Sequence, residues 1–398
     1  NKARNAYQIG DIWFDEIDLA KFESNLYEEL NILRNDVLNG NFKISPIKPI
    51  PYPKGFDETK GKPRTRQTFW IKVRDQVIWL AVINIIGPEL DWQMPSWSYG
   101  HRLYLSIWYA DDENGRQELK FGWYRNSSGK IYRKWSQSWP LFRRHISLTT
   151  KIMANSDKFY IDPKNFVANL VTDESERTIL ENNESITDNL KIRYFEKGYW
   201  DGVPKEKLYW ASIDFEKFYP SVRLQVIKEN IIKYYLKETK DENFEFLIEN
   251  LLTFPLDSFG WKPAELKCIG LDNSVFFTGV PTGLFIAGFL TNIALLAVDK
   301  EITQLLNRNK NIAHFRFVDD HIIISYDFQS LTSWVKDYKD ILDKYQTGAK
   351  YNFEKIEPHE FSKYVLDTEK KTIKKLDLKK SLNRALKATT LDPKFPSP

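Results

Sequence analysis

The feature that most constrains this chain is a pair of adjacent acids, Asp319 and Asp320, set between two apolar segments. Phe317 and Val318 precede the pair, and three isoleucines follow at 322–324. This pattern predicts a β-hairpin whose tight turn carries both carboxylates at its tip. Because two like charges side by side repel each other, such a tip favours a bound divalent cation. For any Asp-Asp pair taken alone, a solvated surface turn is the alternative interpretation.

A third acid, Asp214, ends a hydrophobic segment at 208–213 and is followed by a helix-like stretch at 215–222. An acid at the carboxyl end of a buried strand can share a cation with an acid pair on a neighbouring hairpin. Between the acidic segments, a loop punctuated by Gly and Pro at 279–283 leads into an apolar helix. We expect these three segments to meet in one site.

In order and spacing, the three segments resemble motifs A, B and C of the reverse transcriptase palm. Arg66, eight residues before an Arg-Asp-Gln step at 74–76, is similar to the fingers of group II intron and retron reverse transcriptases. The Ser-Tyr-Gly-His-Arg sequence at 98–102 resembles the element that follows those fingers. The resemblance covers roughly residues 60–105 and 205–360.

The resemblance implies an α+β right-hand polymerase, with fingers and an RRM-like palm in which an antiparallel sheet carries helices on one face. It implies an N-terminal helix and fingers at 1–105, an insertion rich in Trp and basic residues at 106–155, and further fingers or a connector at 156–205. The palm is expected at 206–365. A basic tail or the start of a thumb follows at 366–398, which makes the thumb short or missing.

Hydrophobic periodicity predicts helices at 10–40, 76–86, 223–253 and 330–346. In the first of these, the spacing predicts one apolar face formed by Ile17, Leu19, Phe22, Leu26, Leu30 and Leu33. Four prolines at 46, 49, 51 and 53 predict that regular structure stops there. The basic segment that follows, at 60–75, favours a β-conformation.

Nucleotidyl transfer of the kind implied uses two Mg²⁺ ions, about 3.5–4 Å apart, which stabilise the attacking and leaving oxygens. We expect Asp214 and Asp319 to be the two principal metal ligands. Asp320 is expected to be a looser ligand or an electrostatic support, and the carbonyl of Phe215 a further ligand. An oxygen-only donor set without His or Cys suits Mg²⁺, and Mn²⁺ is a possible substitute.

Tyr219 stands five residues after Asp214, where reverse transcriptases carry an aromatic residue that collides with a ribose 2′-hydroxyl. This position implies deoxynucleotide use, and packing in the core is the alternative. Lys355 resembles a motif D lysine that protonates pyrophosphate, and an exposed loop lysine is the alternative. The expected nucleotide-binding set is Lys62, Arg66, Arg74, Tyr219, Thr282, Gly283 and Lys355. The expected nucleic-acid-binding set is Arg102, Arg143, Arg144 and Asn292.

The insertion alternates four tryptophans, at 108, 123, 135 and 139, with many Arg and Lys residues. Aromatic faces stack on bases while cations hold phosphates, which favours a nucleic-acid or partner surface. The alternative is a β-hairpin whose tryptophans pack into the fingers. The tetrapeptide Tyr109-Ala110-Asp111-Asp112 also resembles the catalytic tetrapeptide of reverse transcriptases, but it precedes motif A and continues as a polar turn, so we predict a surface turn.

Composition sets wider limits. The net charge is only +4, from 58 basic and 54 acidic residues, so nucleic-acid binding must depend on local clusters. A single cysteine excludes an internal disulfide framework and a cysteine-rich zinc site, which fits a reducing cytoplasm. We find no apolar run long enough to span a membrane and no secretory leader.

Within the family, the chain most resembles the defence-associated and abortive-infection (unknown-group) reverse transcriptases of bacteria. Motif B has Thr282-Gly283 and Ala287-Gly288 where the family usually shows Gln-Gly and Ser-Pro, and the insertion and short thumb fit the same branch. This implies antiphage defence, with DNA made from dNTPs on a noncoding RNA template, or without template and primed on a protein. A homo-oligomer or a partner defence protein is possible. The rivals are an RNA-dependent RNA polymerase and a noncatalytic palm that binds RNA.

Overall fold

The structure is a computed structural model, and it has the mixed helix-and-sheet architecture expected of an α+β chain. It describes residues 2–8, 15–57, 62–104, 106–111, 117–122, 129–133, 135–154, 193–195, 198–202, 208–268, 271, 274–352 and 358–360. Most of the predicted connector at 156–205 and the whole tail at 366–398 lie outside these residues, so the domain division stays a prediction.

Three helices open the described chain: α1 (Lys2–Gln8), α2 (Glu16–Ser24) and α3 (Leu26–Leu38). The helix predicted at 10–40 is therefore divided at Asn25. Its predicted apolar face is wrong in part, because Phe22 and Leu33 are buried whereas the Ile17 side chain is 64% exposed. The periodicity predicted helix correctly and overestimated how much of that face packs on the rest of the chain.

The proline-rich segment is a strand, so the prediction that regular structure stops there is wrong. Strand β1 (Lys48–Asp57) pairs antiparallel with β2 (Lys62–Trp70). Pro49, Pro51 and Pro53 occupy alternate positions of β1, so their missing N–H groups fall on the side that does not face β2. The residues between them supply the ladder hydrogen bonds.

A long helix, α4 (Val73–Trp92), contains the predicted helix at 76–86 and extends it at both ends. The insertion begins as an antiparallel hairpin of β3 (Ser106–Asp111) and β4 (Gln117–Gly122), followed by α5 (Trp135–Ala154). The surface turn predicted for the tetrapeptide at 109–112 is wrong in part, because Tyr109, Ala110 and Asp111 lie in β3; Asp112 and the residues at 113–116 lie outside the described residues.

The remaining elements form the region predicted as the palm. They are β5 (Tyr209–Asp214), α6 (Phe218–Ser221), α7 (Leu224–Ile231), a π-helical turn (Ile232–Leu236), α8 (Glu242–Leu251), β6 (Phe254–Pro255), α9 (Pro263–Cys268), β7 (Phe276–Phe277), α10 (Ala287–Arg308), β8 (Ile312–Phe317), β9 (Asp320–Ser325), α11 (Phe328–Lys344) and β10 (Pro358–Glu360). The helix predicted at 223–253 is interrupted after Leu236, where Lys237 has a φ of +58°.

The central sheet has the strand order β10-β5-β9-β8, and every neighbouring pair is antiparallel. The hairpin predicted around Asp319 and Asp320 is confirmed as β8 and β9. All six residues of β8 are buried. A strand buried at every position must be covered on both faces, because successive side chains alternate between them.

Helices cover both faces of β8, so the prediction of helices on one face is wrong. On one face, Arg316 binds Asn292 and Asp299 of α10. On the other, the ring of Phe317 meets that of Trp139 of α5 edge-on, with centroids 4.9 Å apart. The aromatic residues of α5 thus close a face that the prediction left open.

Candidate active site

The sheet brings the three predicted acids to one end. Asp214 is the last residue of β5, Asp320 is the first of β9, and the two are directly opposite each other in the antiparallel register. Directly opposite residues have Cβ atoms about 4.5–5.5 Å apart and point to the same face. Asp319 lies one residue away in the turn, and all three acids are half-buried. The acid opposite Asp214 is therefore Asp320, which was expected to be the looser ligand.

The turn at 318–319 between β8 and β9, called the acid turn below, has a strained backbone and is packed closely by its neighbours. Val318 has a φ of +61°, which is unfavourable for a β-branched residue. Gly100 packs directly against it, since a Cβ on Gly100 would lie 2.3 Å from Val318 Cγ2. On the other side, His321 Nδ1 lies 3.0 Å from the carbonyl oxygen of Asp319, and its Nε2 lies 2.9 Å from the Tyr338 hydroxyl.

The segment at 97–101 runs along β8 and positions this turn. The backbone N–H of Arg316 donates to the Trp97 carbonyl at 2.9 Å, and that of Tyr99 donates to the Arg316 carbonyl at 2.9 Å. The Ser-Tyr-Gly sequence therefore lies along the outer edge of β8, next to the acids. Its glycine provides the space that Val318 requires.

Arg102 and Asn292 were predicted to contact nucleic acid, and the structure disagrees because both are buried and fully engaged. Arg102 forms an ion pair with Asp91, with 2.9 Å between Nε and Oδ1, and donates further hydrogen bonds to backbone carbonyls. Asn292 donates to the Gly100 carbonyl at 2.8 Å and accepts from Arg316 at 2.8 Å. Both side chains hold the framework around the acid turn.

The loop predicted as motif B is fixed to β2 by a backbone hydrogen bond. The N–H of Phe69 in β2 donates to the Thr282 carbonyl at 2.7 Å. Gly283 has a φ of +121°, and a Cβ there would lie 2.1 Å from the Phe69 carbonyl oxygen, so the position requires glycine. This packing explains Gly283 without a ligand, and nucleotide binding by Thr282 and Gly283 stays a prediction.

Gln76 was missed by the sequence analysis, although it clamps the same loop. Its Nε2 donates to the Gly283 carbonyl at 2.8 Å, and its Oε1 accepts from the Phe285 N–H at 2.9 Å. The side chain is buried in α4. The available signal was a glutamine directly before the apolar run at 77–83, because a buried amide needs partners.

Tyr219 lies between the acid turn and the fingers. Burial raises the pKa of its hydroxyl, the negative charge of Asp319 raises that pKa further, and the positive charge of Arg66 opposes both. Arg66, exposed on β2, is thus within electrostatic reach of the site predicted for it. Of the two neighbouring aromatics, Phe218 is the buried core residue, and Tyr219 is half-buried.

The hydroxyl of Tyr219 has a partner that the sequence did not reveal. It lies 3.1 Å from Nε2 of His101, the variable residue of the Ser-Tyr-Gly-x-Arg element. Burial lowers the pKa of His101 to about 4, so its imidazole is neutral at physiological pH.

Arg74, which was also predicted to bind nucleotide, contacts other parts of the chain. Arg74 forms a 3.3 Å ion pair with Asp36 of α3 and lies over the Phe42 ring, which ties it to the N-terminal helices. Lys62 lies in β2, but its side chain is not among the described parts of the structure. Lys355 lies outside the described residues altogether. The remaining residues predicted to bind nucleic acid lie on α5. Arg143 is half-buried, and Arg144 is exposed.

Of the two tryptophans of α5, Trp139 packs on the hairpin that carries the acids. Trp139 is buried against Phe317, and Trp135 stacks on Trp139 with centroids 6.1 Å apart and planes 10° from parallel. Trp135 itself is 58% exposed. The side chain of Trp108 and all of Trp123 lie outside the described residues.

The three acids provide only oxygen donors, which fits the predicted Mg²⁺. Among the described residues, no three His, Cys, Asp or Glu side chains converge closely enough to hold a metal ion unaided. Mg²⁺ is commonly held by one or two carboxylates together with water and substrate phosphates.

Comparison with known proteins gives a fold-level likeness only. No protein-family model matches the chain, and no curated protein matches it. Among solved structures, the chain is similar to apo telomerase from Candida tropicalis, with 15% identity, a TM-score of 0.34, and coverage of 81% of this chain and 45% of that one. It is also similar to telomerase from Candida tropicalis in complex with a telomeric RNA fragment, with 13% identity, a TM-score of 0.30, and coverage of 75% and 46%.

Telomerase from Candida albicans, also in complex with a telomeric RNA fragment, gives 12% identity, a TM-score of 0.27, and coverage of 84% of this chain and 50% of that one. The chain thus spans about half the length of these solved chains. In the part of the chain that the structure describes, none of the helices is both long and apolar enough to cross a membrane.

Proposed function

We propose that this chain is a reverse transcriptase, an RNA-directed DNA polymerase that adds dNTPs to a growing DNA end with the help of two Mg²⁺ ions. The observation that carries the proposal is the register that sets Asp214 directly opposite Asp320, with Asp319 beside them in the turn. Three carboxylates at one end of a sheet repel one another, and divalent cations offset that repulsion.

The surroundings of the acids support a nucleotide as the substrate. The charge of Arg66 on β2 acts on the hydroxyl of Tyr219, and a guanidinium there would suit a triphosphate. The charge of Asp319 acts on the same hydroxyl, so Tyr219 would contact the sugar of a nucleotide whose phosphates lie at the acids. When bound, the metal ions would stabilise the attacking and leaving oxygens of the transfer. Asp214, Asp319, Asp320 and the Phe215 carbonyl would hold them.

The biological setting is part of the proposal and rests on the sequence resemblance. The chain would act in the bacterial cytoplasm in antiphage defence, with a noncoding RNA as template. Untemplated or protein-primed DNA synthesis, as in abortive-infection relatives, is the alternative within the same chemistry. A noncatalytic palm that binds RNA is the alternative of another class.

The decisive experiment replaces the acid pair. We expect Asp319→Asn combined with Asp320→Asn to reduce dNTP incorporation by the purified protein at least ~100-fold, because neutral amides neither offset the metal charge nor bind Mg²⁺ strongly. Incorporation of labelled dNTPs in Mg²⁺ is measured with and without added RNA template. Thermal unfolding of the variant should match or exceed that of the wild type, since two repelling charges are removed.

A matched control comes from the second Asp-Asp pair. Asp111→Asn with Asp112→Asn removes the same two charges from the tetrapeptide that most resembles a catalytic motif, and incorporation should persist. Full activity in the Asp319/Asp320 variant would refute the proposal. Absence of synthesis by the wild type in Mg²⁺ or Mn²⁺, with RNA binding intact, would instead favour the noncatalytic alternative.

A further inference from the structure

His101 is held in one orientation by its surroundings. Its backbone has a φ of +51°, in the left-handed region. Its ring lies so close to Gly288 that a Cβ there would be 2.1 Å from His101 Cγ. The ring of Tyr132 meets it edge-on at 5.1 Å, and the Tyr132 hydroxyl donates to the Phe285 carbonyl at 2.9 Å. Because the start of α10 and Tyr132 both restrict it, the imidazole has little freedom to rotate.

This fixed imidazole holds the tip of the Tyr219 side chain. The 3.1 Å separation between His101 Nε2 and the Tyr219 hydroxyl is within hydrogen-bonding range. A tyrosine side chain has two rotatable bonds, so a contact at the hydroxyl fixes the end that lies farthest from the backbone. Since the charge of Asp319 acts on the same hydroxyl, that end lies beside the acid turn.

We propose that His101 is a positioning residue that, through its hydrogen bond to Tyr219, sets the sugar selectivity of the active site. The proposal rests on the proposed function and extends it by naming what holds the selective side chain. With the hydroxyl tethered, the Tyr219 ring keeps a fixed clearance, and a ribose 2′-hydroxyl is excluded. Without the tether, the ring can tilt away and admit a ribonucleotide.

The test measures the ratio of kcat/KM for a ribonucleotide to that for the matching deoxynucleotide, on one primer and template in Mg²⁺. Tyr219→Ala removes the ring and should raise this ratio the most. Tyr219→Phe keeps the ring and loses only the hydrogen bond, so we expect a rise of about 3- to 10-fold, the effect of one neutral hydrogen bond. His101→Asn should raise the ratio by a similar factor, and adding it to Tyr219→Ala should change nothing further.

A pair of substitutions at one position separates positioning from general disruption. Asparagine tolerates the left-handed backbone of residue 101, but its amide is too short to replace Nε2. The longer amide of His101→Gln places a nitrogen near the Nε2 position and should restore most of the wild-type ratio. Rescue by Gln and not by Asn is an outcome that a purely structural role would not produce.

His145 supplies the control, because it forms another histidine–tyrosine contact elsewhere, with 2.6 Å between its Nδ1 and the Tyr99 hydroxyl. His145→Asn should lower the thermal stability and leave the ratio unchanged.

A wild-type ratio in His101→Asn, together with a raised ratio in Tyr219→Ala, would overturn the proposal. So would a wild-type ratio in Tyr219→Phe, a measurement that decides the matter even if His101→Asn fails to fold. An unchanged ratio in Tyr219→Ala would overturn the role of both side chains and leave the polymerase assignment intact. Absence of any incorporation by the wild type would overturn both proposals together.

Discussion

Gly100 is the residue on which the geometry of the acid turn most directly depends. A methyl group there would lie 2.3 Å from Val318 Cγ2 and 2.9 Å from the Val318 backbone nitrogen. The backbone atom cannot move without moving the strained turn that carries Asp319. We therefore predict that Gly100→Ala lowers kcat for dNTP incorporation ~10- to 100-fold, since displacements near 1 Å at reacting groups have effects of this size. Steady-state kinetics of dNTP incorporation measure this change in kcat.

Gly87 provides the comparison, because a Cβ there would lie 2.7 Å from Leu103 Cδ1, which is the end of a flexible side chain. Gly87→Ala crowds the core of α4 to a similar degree without touching the acid turn. Both variants should lose at most about 1–3 kcal/mol of unfolding free energy, the usual cost of overpacking. If Gly100→Ala keeps the wild-type kcat, the turn does not depend on this contact.

At the residue scale, the sequence predicted the acids and misplaced some of their neighbours. Asp214, Asp319 and Asp320 follow from patterns that need only a few adjacent residues. His101 and Gln76 could not be found this way, because their partners lie 118 and more than 200 positions away in the chain. Arg102 and Asn292 were predicted to bind nucleic acid because a motif gives only the type of residue. It does not reveal whether the hydrogen-bonding groups of the side chain already have partners within the protein.

The two sides of helix α5 differ in how deeply their side chains are buried. Trp139 and Phe142 are buried against the acid hairpin, whereas Arg144 is exposed and Arg143 half-buried. If the basic side holds RNA, each phosphate contact on a single strand contributes about 0.7 to the slope of log K against log salt concentration. We predict that Arg143→Ala with Arg144→Ala weakens binding of single-stranded RNA and reduces that slope by about 1.4.

The control for this prediction removes the same charge from another helix. On α11, Lys339 is half-buried and pairs with Asp343, and Lys344 is exposed and pairs with Glu301 of α10. Replacing both with Ala should leave the slope nearly unchanged. A wild-type slope in the Arg143/Arg144 variant would favour the interpretation of α5 as a packing element alone.

At the element scale, strands and helices were predictable wherever local patterning agrees with packing. The β8–β9 hairpin follows from its run of β-branched apolar residues, and α11 follows from its helical periodicity. The strand β1 does not, because prolines are compatible with a strand only when one edge has no partner in the ladder, and this depends on the neighbouring strand. The position of α5 against the second face of β8 could not be predicted for a similar reason, because the sequence does not show which tryptophans are exposed and which are buried.

At the scale of the whole molecule, the burial of several histidines makes the protein sensitive to acid. His145, His314 and His321 are buried and His101 is half-buried. Burial lowers the pKa of His101 to about 4 and of His314 to about 3, and lowers those of His145 and His321 well below the usual value. Each is neutral when folded and takes up a proton near pH 6.5 when unfolded. A depressed folded pKa of a base means that stability is complete above about pH 6.5 and is lost as the pH falls below it.

Two of the histidines give this loss a size. Between pH 7 and pH 5, His101 and His314, whose pKa values in the folded protein lie below this range, cost about 2 kcal/mol each. His145 and His321 act in the same direction, because burial lowers their pKa as well. Burial raises the pKa of Asp75 and of Asp299, each to about 6, and these carboxyls act in the opposite direction by about 3 kcal/mol together. Because four imidazoles oppose two carboxyls, the net effect is a loss of stability as the pH falls.

We therefore predict that the midpoint of urea unfolding, followed by tryptophan fluorescence, falls steeply between pH 6.5 and pH 5. In His314→Asn, one titrating group is removed while a polar atom remains for the indole N–H of Trp334, which donates to His314 at 3.1 Å. This variant should lose about a quarter of the histidine contribution to the pH dependence, even if it is less stable than the wild type at pH 7. A midpoint that stays constant down to pH 5 would mean that these imidazoles are protonated in the folded protein, and that the polar core beneath the acid turn admits water.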